Sequence, residues 1–248
     1  MACAIDATAA TAHHSAMAVA DFSLTMGRAS VVGSFGGADD LRTADAQMVG
    51  KACDIAEIRL DLLAGDTTRN AWTHLAGVPL LFTARRGDEG GGGDLPVATR
   101  IALLETAIDD AACIDIEVAS ISEMDVLLKT LRIPWIASFH DFSKLPETSL
   151  LEKSARHAKD AGASAFKVAA MLHSPADMAR LADFQLADHG IAVATMGMGP
   201  LAPVSRLLCA QCGSVLNYGY LGQIPTAPGQ WDAGSLKQAV ARLAPFMV

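Results

Sequence analysis

Eight short apolar segments that alternate with longer helical segments constrain the fold of this chain more than any other feature. The predicted strands are residues 29–34, 54–61, 79–85, 113–117, 134–140, 165–169, 191–196 and 215–218. The helical segments include residues 44–52, 94–111, 122–131, 148–161, 174–188, 204–212 and 235–244. Regular strand–helix alternation predicts a parallel sheet with right-handed crossovers. Eight such units favour a closed (β/α)8 TIM barrel, an α/β fold.

The length of the chain fits one barrel. The chain has 248 residues, and about 250 residues is the usual size of a (β/α)8 domain. We therefore predict a single domain over residues 22–248, preceded by an Ala-rich extension over residues 1–21. An open doubly wound sheet is the alternative, but residues 33–37 match the Gly-rich dinucleotide turn poorly.

Charge and hydropathy argue against several classes of binding partner. The net charge of −8 and the pI near 5.3 argue against nucleic acid and against an anionic membrane surface. No apolar stretch runs for 18 residues, so no transmembrane helix is predicted. The first 20 residues lack the basic segment of a secretory signal. These features predict a cytoplasmic protein that binds a small molecule.

Cysteine and histidine spacing gives little support for a metal. The five cysteines are scattered along the chain, which favours free thiols. Cys209 and Cys212 have metal or redox spacing, but they lie in an apolar helical segment without a second pair. The adjacent His13 and His14 lie in the extension, where solvated side chains are the simpler interpretation. The spacing of these residues therefore predicts no metal site.

Polar residues cluster at the carboxyl ends of the predicted strands. Glu57, Arg59 and Asp61 alternate along one strand and therefore share one face. The other strand ends carry Thr83, Arg85, Asp115, Glu117, Ser138, His140 and Lys167. Charges on the buried side of several strands are costly and indicate a function. The active site of a barrel lies at this end.

Lys167 is the central residue of this cluster. A lysine that burial and nearby cations render partly neutral can attack a ketone and form an imine. The alternative is a salt bridge from Lys167 to Asp115 or Glu117. His140, one strand earlier, is the natural proton carrier. Glu117 can accept a hydrogen bond from its imidazole and orient it.

Two further segments suit an anionic ligand. Arg206 follows a Gly-rich loop near the start of a helix, where a guanidinium can bind a carboxylate through two hydrogen bonds. Residues 227–230 form a Gly/Pro-rich loop after the last strand, and such loops can close over a ligand. Arg59 and Arg85 either contact the substrate or neutralise the neighbouring carboxylates.

The order of these motifs resembles that of the type I 3-dehydroquinate dehydratase family. The resemblance runs from about residue 28 to residue 240. It rests on Glu57-x-Arg59-x-Asp61, Thr83-x-Arg85 with Glu89-Gly90-Gly91, Asp115-x-Glu117, Ser138-x-His140-Asp141-Phe142, Phe166-Lys167-Val168-Ala169, Met198-Gly199 with Ser205-Arg206, and Ala227-Pro228-Gly229-Gln230.

The resemblance implies a specific reaction and a set of roles. It implies a cofactor-free homodimer that converts 3-dehydroquinate to 3-dehydroshikimate and water by syn elimination, in the shikimate and chorismate pathway or in quinate catabolism. It implies that Lys167 forms the Schiff base at C3, that His140 moves protons at C2 and C1, and that Glu117 orients His140. It implies that the substrate is bound by Ser34, Glu57, Arg59, Arg85, Arg206, Thr226 and Gln230. Thr226 stands where the family often has serine.

Two other functions compete with this one. A lysine-imine aldolase would carry a phosphate site after strands seven and eight, and residues 196–200 match such a site only faintly. A non-catalytic sensor of quinate-pathway metabolites would be expected to lose the lysine or the histidine. The chain retains Lys167, His140 and Glu117 together, which favours the enzyme.

Overall fold

A computed structural model describes residues 22–63, 65 and 67–243, and these residues form the predicted (β/α)8 barrel. The strands are β1 (Ser30–Phe35), β2 (Ile55–Arg59), β3 (Leu80–Thr83), β4 (Cys113–Glu117), β5 (Trp135–Asp141), β6 (Ala165–Met171), β7 (Ala192–Met198) and β8 (Leu216–Leu221). The α-helices are α1 (Ala38–Arg42), α2 (Ala46–Ala52), α3 (Val97–Ala107), α4 (Asp125–Thr130), α5 (Thr148–Asp160), α6 (Pro175–Leu186), α7 (Ala202–Gln211) and α8 (Ala233–Val240). The predicted extension, with His13 and His14, lies outside the described residues.

The strands pair in parallel in the order β7-β6-β5-β4-β3-β2-β1-β8. The barrel closes between β7 and β8 through individual hydrogen bonds. The Val215 amide donates to the Val193 carbonyl at 3.1 Å, and the Thr195 amide donates to the Ser214 hydroxyl at 3.2 Å. All carboxyl ends of the strands therefore open on the same face.

All eight predicted strands are confirmed, whereas several element ends differ from the prediction. Helix α3 begins at Val97 rather than at residue 94, because Pro96 occupies its N-cap with an extended backbone. Helix α7 begins at Ala202, two residues earlier than predicted. The five-residue helix α1 was not predicted. Three 3-10 turns (Leu60–Leu62, Arg69–Ala71 and Thr73–Leu75) connect β2 to β3 in place of an α-helix.

Recognisable end signals mark the start of α6 and the turns before β6 and β7. The Ser174 hydroxyl accepts a hydrogen bond from the Asp177 amide, and the Asp177 carboxylate accepts one from the Ser174 amide. This reciprocal pair is a capping box, followed by Pro175 at the first helical position. Gly162, after α5, and Gly190, before β7, adopt left-handed conformations with φ of 84° and 64°.

The barrel interior has an apolar lower part and a polar upper part. The lower part is filled by six apolar side chains, which are Val32, Ile55, Leu81, Ile136, Ala165 and Leu216. Each of them lies two residues before a residue of the upper part in the same strand. Phe22 and Leu24 pack against this cluster. Two positions further along the same strands lie Ser34, Glu57, Thr83, Ser138, Lys167 and Tyr218, all buried. The polar layer therefore rests on a packed apolar layer.

Across the described residues, no helix combines the length and the apolar character that crossing a membrane requires.

We predict that Ser174→Ala lowers the free energy of unfolding by about 1 kcal/mol, because it removes the hydroxyl acceptor of the capping box. Urea denaturation of both proteins measures the difference. Ser149→Ala, at an exposed position in the first turn of α5, is the matched control and is expected to change the unfolding free energy little. An equal effect of the two substitutions would contradict the assigned cap.

Candidate active site

The carboxyl ends of the strands surround a pocket that is open to solvent. Its lining includes Glu57, Arg59, Arg85, Glu89, Gly90, His140, Phe142, Lys167, Ala169, Met196, Met198, Arg206, Tyr218, Thr226, Ala227 and Gln230. The structure thus brings together all but two of the predicted site residues. The exceptions, Ser34 and Glu117, are buried behind the lining.

Lys167 lies at the base of this pocket and is 3% exposed. Its Nζ donates to Asp115 Oδ2 at 2.9 Å and lies 4.2 Å from the centroid of the Tyr218 ring. Burial lowers the pKa of Lys167 below its usual value, and although the Asp115 carboxylate opposes this, nearby Arg85 adds to the lowering. Lys167 therefore forms the predicted salt bridge to Asp115. Its lowered pKa nevertheless makes the neutral amine easier to reach.

Arg85 connects the buried carboxylates. Its Nη1 donates to Asp115 Oδ1 at 2.9 Å, to Glu117 Oε1 at 3.0 Å and to the Ser138 hydroxyl at 2.6 Å. Burial alone would raise the pKa of Asp115, but Arg85 and Lys167 hold it far below its usual value. Asp115 is therefore a permanent anion beside the lysine.

Glu117 does not hold His140, and the predicted hydrogen bond between them is wrong. Glu117 accepts hydrogen bonds from Arg85, from the Arg86 amide at 3.1 Å and from the buried Arg100 of α3. These three donors occupy both oxygens of the Glu117 carboxylate. Its observed contacts fix Arg85 and the start of the β3–α3 loop.

Glu89 holds His140 instead. Its Oε2 lies 2.9 Å from His140 Nδ1 and also accepts the His140 backbone amide at 2.9 Å. When Glu89 is ionised it can only accept, so Nδ1 carries the proton and Nε2 keeps a lone pair. Burial, and the cations of Arg85 and Lys167, lower the pKa of His140 well below its usual value. The imidazole is therefore neutral and suited to accept a proton.

The sequence contained a signal for Glu89, because this residue follows Arg85 closely and precedes four glycines. It does not lie in a strand but in a 3-10 turn, Gly87–Glu89. Burial raises the pKa of Glu89 to about 7, and Glu117 contributes to the rise while Arg85 opposes it. Glu89 therefore titrates near neutral pH.

Gly90, Gly91 and Gly92, which follow Glu89, pack closely against the protein. A Cβ on Gly91 would lie 2.6 Å from the Arg85 and Arg86 carbonyl oxygens, and one on Gly92 would lie 2.7 Å from the Asp61 carbonyl oxygen. The Gly92 amide donates to Asp61 Oδ2 at 2.9 Å. Absence of side chains thus lets the loop fold tightly enough to place Glu89 over His140.

Glu57 and Arg59 lie on the β2 side of the pocket. The Ser34 hydroxyl and the Thr83 hydroxyl donate to the two oxygens of Glu57, the latter at 2.8 Å. Ser34 is fully buried and therefore supports Glu57 from behind. Arg59 binds Asp61 through two hydrogen bonds of 2.9 and 2.6 Å and donates to the Gly90 carbonyl at 2.9 Å.

Arg206 enters the pocket from the second turn of α7 and is 1% exposed. Its Nη1 donates to the Tyr218 carbonyl at 2.7 Å, while its Nε has no partner among the described residues. Burial lowers the pKa of Arg206 to about 10, so the guanidinium stays charged at neutral pH. A buried cation without a carboxylate is suited to an anionic ligand.

The β8–α8 loop, residues 222–232, brings Thr226 and Gln230 to the pocket. Gln230 Oε1 accepts the Thr226 amide at 2.8 Å, the Thr226 hydroxyl at 2.9 Å and the Ala227 amide at 3.2 Å. Since backbone N–H groups require an acceptor, the Gln230 oxygen faces the loop, and its NH₂ group is the part left for a ligand.

No metal site is evident in the described part of the chain, where no three His, Cys, Asp or Glu side chains lie in positions to hold an ion. Cys209 is buried in α7, and Cys212, directly after this helix, is partly buried.

Known proteins resemble this chain over most of its length. A family model described as Type I 3-dehydroquinase matches residues 37–244. The 3-dehydroquinate dehydratase of Methanothrix thermoacetophila is 34% identical over 206 residues, which are 82% of this chain and 88% of the relative. That of Haloquadratum walsbyi is 31% identical over 81% of this chain and 88% of its own. The crystal structure of the Geobacillus kaustophilus 3-dehydroquinate dehydratase has a TM-score of 0.76 at 25% identity, covering 86% of this chain and 90% of that one.

We predict that Glu89 makes the stability of the protein fall as the pH rises from 5 to 8. Its folded-state pKa of about 7 exceeds the ordinary 4.5, so the folded state binds the proton more tightly. The resulting stabilisation is present below pH 4.5 and is lost as the pH passes through 7.

Urea denaturation of the wild type and of Glu89→Gln at several pH values tests this prediction. The unfolding free energy of the wild type relative to Glu89→Gln should decrease by up to about 3 kcal/mol over that range. Glu152→Gln, on the exposed face of α5, gives the background of an ordinary glutamate. A pH-independent difference between the wild type and Glu89→Gln would contradict the raised pKa.

Proposed function

Because the chain belongs to the type I 3-dehydroquinase family, we propose that it dehydrates 3-dehydroquinate to 3-dehydroshikimate and water through an imine on Lys167. The observation that carries this proposal is the buried Lys167 with a lowered pKa, at the base of a pocket that also contains His140. A lysine in this state can act as a nucleophile towards a ketone.

Imine formation activates the substrate. The neutral Lys167 amine attacks the C3 carbonyl carbon. The carbonyl oxygen takes up one amine proton and one further proton, delivered from solvent through His140, and leaves as water, so that a protonated imine remains. The positive nitrogen withdraws electrons and acidifies the hydrogens at C2. Asp115, 2.9 Å from Nζ, supplies the negative charge that stabilises this nitrogen.

His140 and Glu89 perform the proton transfers. His140 Nε2 removes a proton from C2, which leaves an enamine conjugated to the nitrogen. The electrons return to form the C1–C2 double bond as the C1 hydroxyl departs, and the imidazolium protonates it to water. Glu89 on Nδ1 holds the ring and stabilises its charged form in this step. Hydrolysis of the imine then releases the product and restores the amine.

The remaining pocket residues bind the substrate. Arg206 and the Gln230 NH₂ group bind the carboxylate at C1, because both present donors without a competing anion. Glu57, Arg59 and Arg85 bind the ring hydroxyls. Ser34 acts through Glu57, and Thr226 lies beside Gln230, where it borders the pocket. The homodimer and the cytoplasmic location stay predictions from the sequence.

Borohydride reduction in the presence of 3-dehydroquinate tests the imine. We expect a stable adduct on the peptide that contains Lys167, detected by mass spectrometry of the intact protein and of its peptides. Lys167→Ala should give no adduct, whereas Lys153→Ala, at an exposed position of α5, should react like the wild type. Tight binding of the compound without an adduct would indicate a metabolite sensor rather than a lyase.

We predict that Arg206→Ala raises KM for 3-dehydroquinate about 10- to 100-fold, because it removes charge-assisted hydrogen bonds to the carboxylate. Steady-state kinetics measures the change. Arg156→Ala, on the exposed face of α5, controls for loss of a positive charge and should leave KM unchanged. If Arg206→Ala lowered kcat alone, the carboxylate would have to be bound elsewhere.

A further inference from the structure

The orientation of one pocket donor depends on the position of the whole β8–α8 loop. Gln230 Oε1 is held by the Thr226 amide, the Thr226 hydroxyl and the Ala227 amide. The Gln230 NH₂ group therefore cannot be placed independently of this loop. Any contact that moves residues 226–230 also moves the donor.

The loop is attached at its C-terminal part to the β7–α7 connection. The Gly199 amide donates to the Pro228 carbonyl at 3.0 Å. Gly229 has φ of 72° and packs on the Gly199 carbonyl so closely that a Cβ would overlap it. This attachment lies next to α7, the helix that carries Arg206.

The loop is attached at its N-terminal part to α1, through Asp40. The Gln223 amide donates to Asp40 Oδ2 at 2.9 Å. Gly222, with φ of 80°, approaches the same carboxylate so closely that a Cβ would overlap it. Beside this contact the Ile224 carbonyl packs directly on Gly36, which also has no room for a Cβ.

The α1 side of this attachment is itself fixed. Asp40 precedes Leu41, which is 1% exposed and belongs to the core between the strands and helices. Helix α1 follows β1 after only two residues. The Asp40 carboxylate is therefore presented to the loop from a rigid part of the barrel, far in sequence from the residues that it holds.

We propose that Asp40 is a positioning residue for substrate binding, which acts by holding residues 222–224 and thereby places the Gln230 NH₂ group against the substrate carboxylate. This proposal rests on the dehydratase function proposed above. Asp40 lies on α1 and does not line the pocket, so it acts through the loop and not by contact with the substrate. Its loss should weaken binding and leave the chemistry at Lys167 intact.

Kinetics of Asp40→Ala provides the first test. We expect KM for 3-dehydroquinate to rise about five- to tenfold with kcat within twofold, the effect of one partly exposed charge-assisted hydrogen bond. Asp40→Asn keeps an acceptor oxygen for the Gln223 amide and should restore most of the affinity. Asp39→Ala is the matched control, because Asp39 pairs with Arg42 on the surface, and its KM should equal that of the wild type.

Hydrogen exchange of the same proteins without substrate provides a second test that does not depend on activity. The peptide spanning residues 222–230 should exchange faster in Asp40→Ala than in the wild type and Asp39→Ala, while β6 exchanges equally in all three. Unchanged exchange in this peptide overturns the proposal, and so does an unchanged KM in an active enzyme. A kcat that falls together with the melting temperature overturns it as well, since it indicates general destabilisation.

The two tests also separate this proposal from the proposed function. If the wild type failed to turn over 3-dehydroquinate while Asp40→Ala loosened the loop, the dehydratase function would fall and the role of Asp40 in holding the loop would stand. If the wild type turned over the substrate and the loop exchanged identically in both proteins, only the inference about Asp40 would fall.

Discussion

The structure depends on neutralising a group of charges inside the barrel. Isolated ionised side chains cannot be buried at this depth without partners. Arg85 is the common partner, because its guanidinium binds Asp115 and Glu117 and lies 4.0 Å from Glu57. Arg100 adds a second cation at Glu117. Three carboxylates thus face two guanidinium groups, and the third positive charge that balances them belongs to the nitrogen of Lys167.

In the proposed imine reaction, this balance lets one lysine serve several stages. The ammonium and a protonated imine carry the same charge at the same place, so Asp115 stabilises either one at 2.9 Å. When the Lys167 amine is neutral, the buried carboxylates outnumber the buried cations by one. The neutral amine becomes accessible because burial disfavours the ammonium more than Asp115 favours it. The electrostatics therefore favour return to a positive nitrogen after attack on a ketone.

The barrel and the strand-borne residues could be predicted from the sequence, because period-two alternation fixes which side chains share a face. Lys167, Asp115, Arg85 and Glu57 all followed from that rule. Glu89 did not, because its position depends on a turn whose glycines pack against Asp61, some 30 residues away in sequence. Glu117 was assigned to His140 from strand adjacency, and only the structure shows that Arg85 and Arg100 already occupy it. Contacts made by loops across the barrel leave no periodic pattern in a sequence.

The hydrogen-bond partners of each buried polar group distinguish residues that can bind a ligand from residues that position other residues. Buried donors and acceptors are almost always paired. Ser34, Glu117 and the Asp115 oxygens already form hydrogen bonds with neighbouring side chains. Arg206 Nε has no partner among the described residues, and the Gln230 oxygen is fixed so that its nitrogen points away from the loop. The donors that remain available lie on α7 and on the β8–α8 loop, whereas His140 lies on β5. In the proposed mechanism, binding of an anion and transfer of a proton therefore belong to different walls of the pocket, with Lys167 between them.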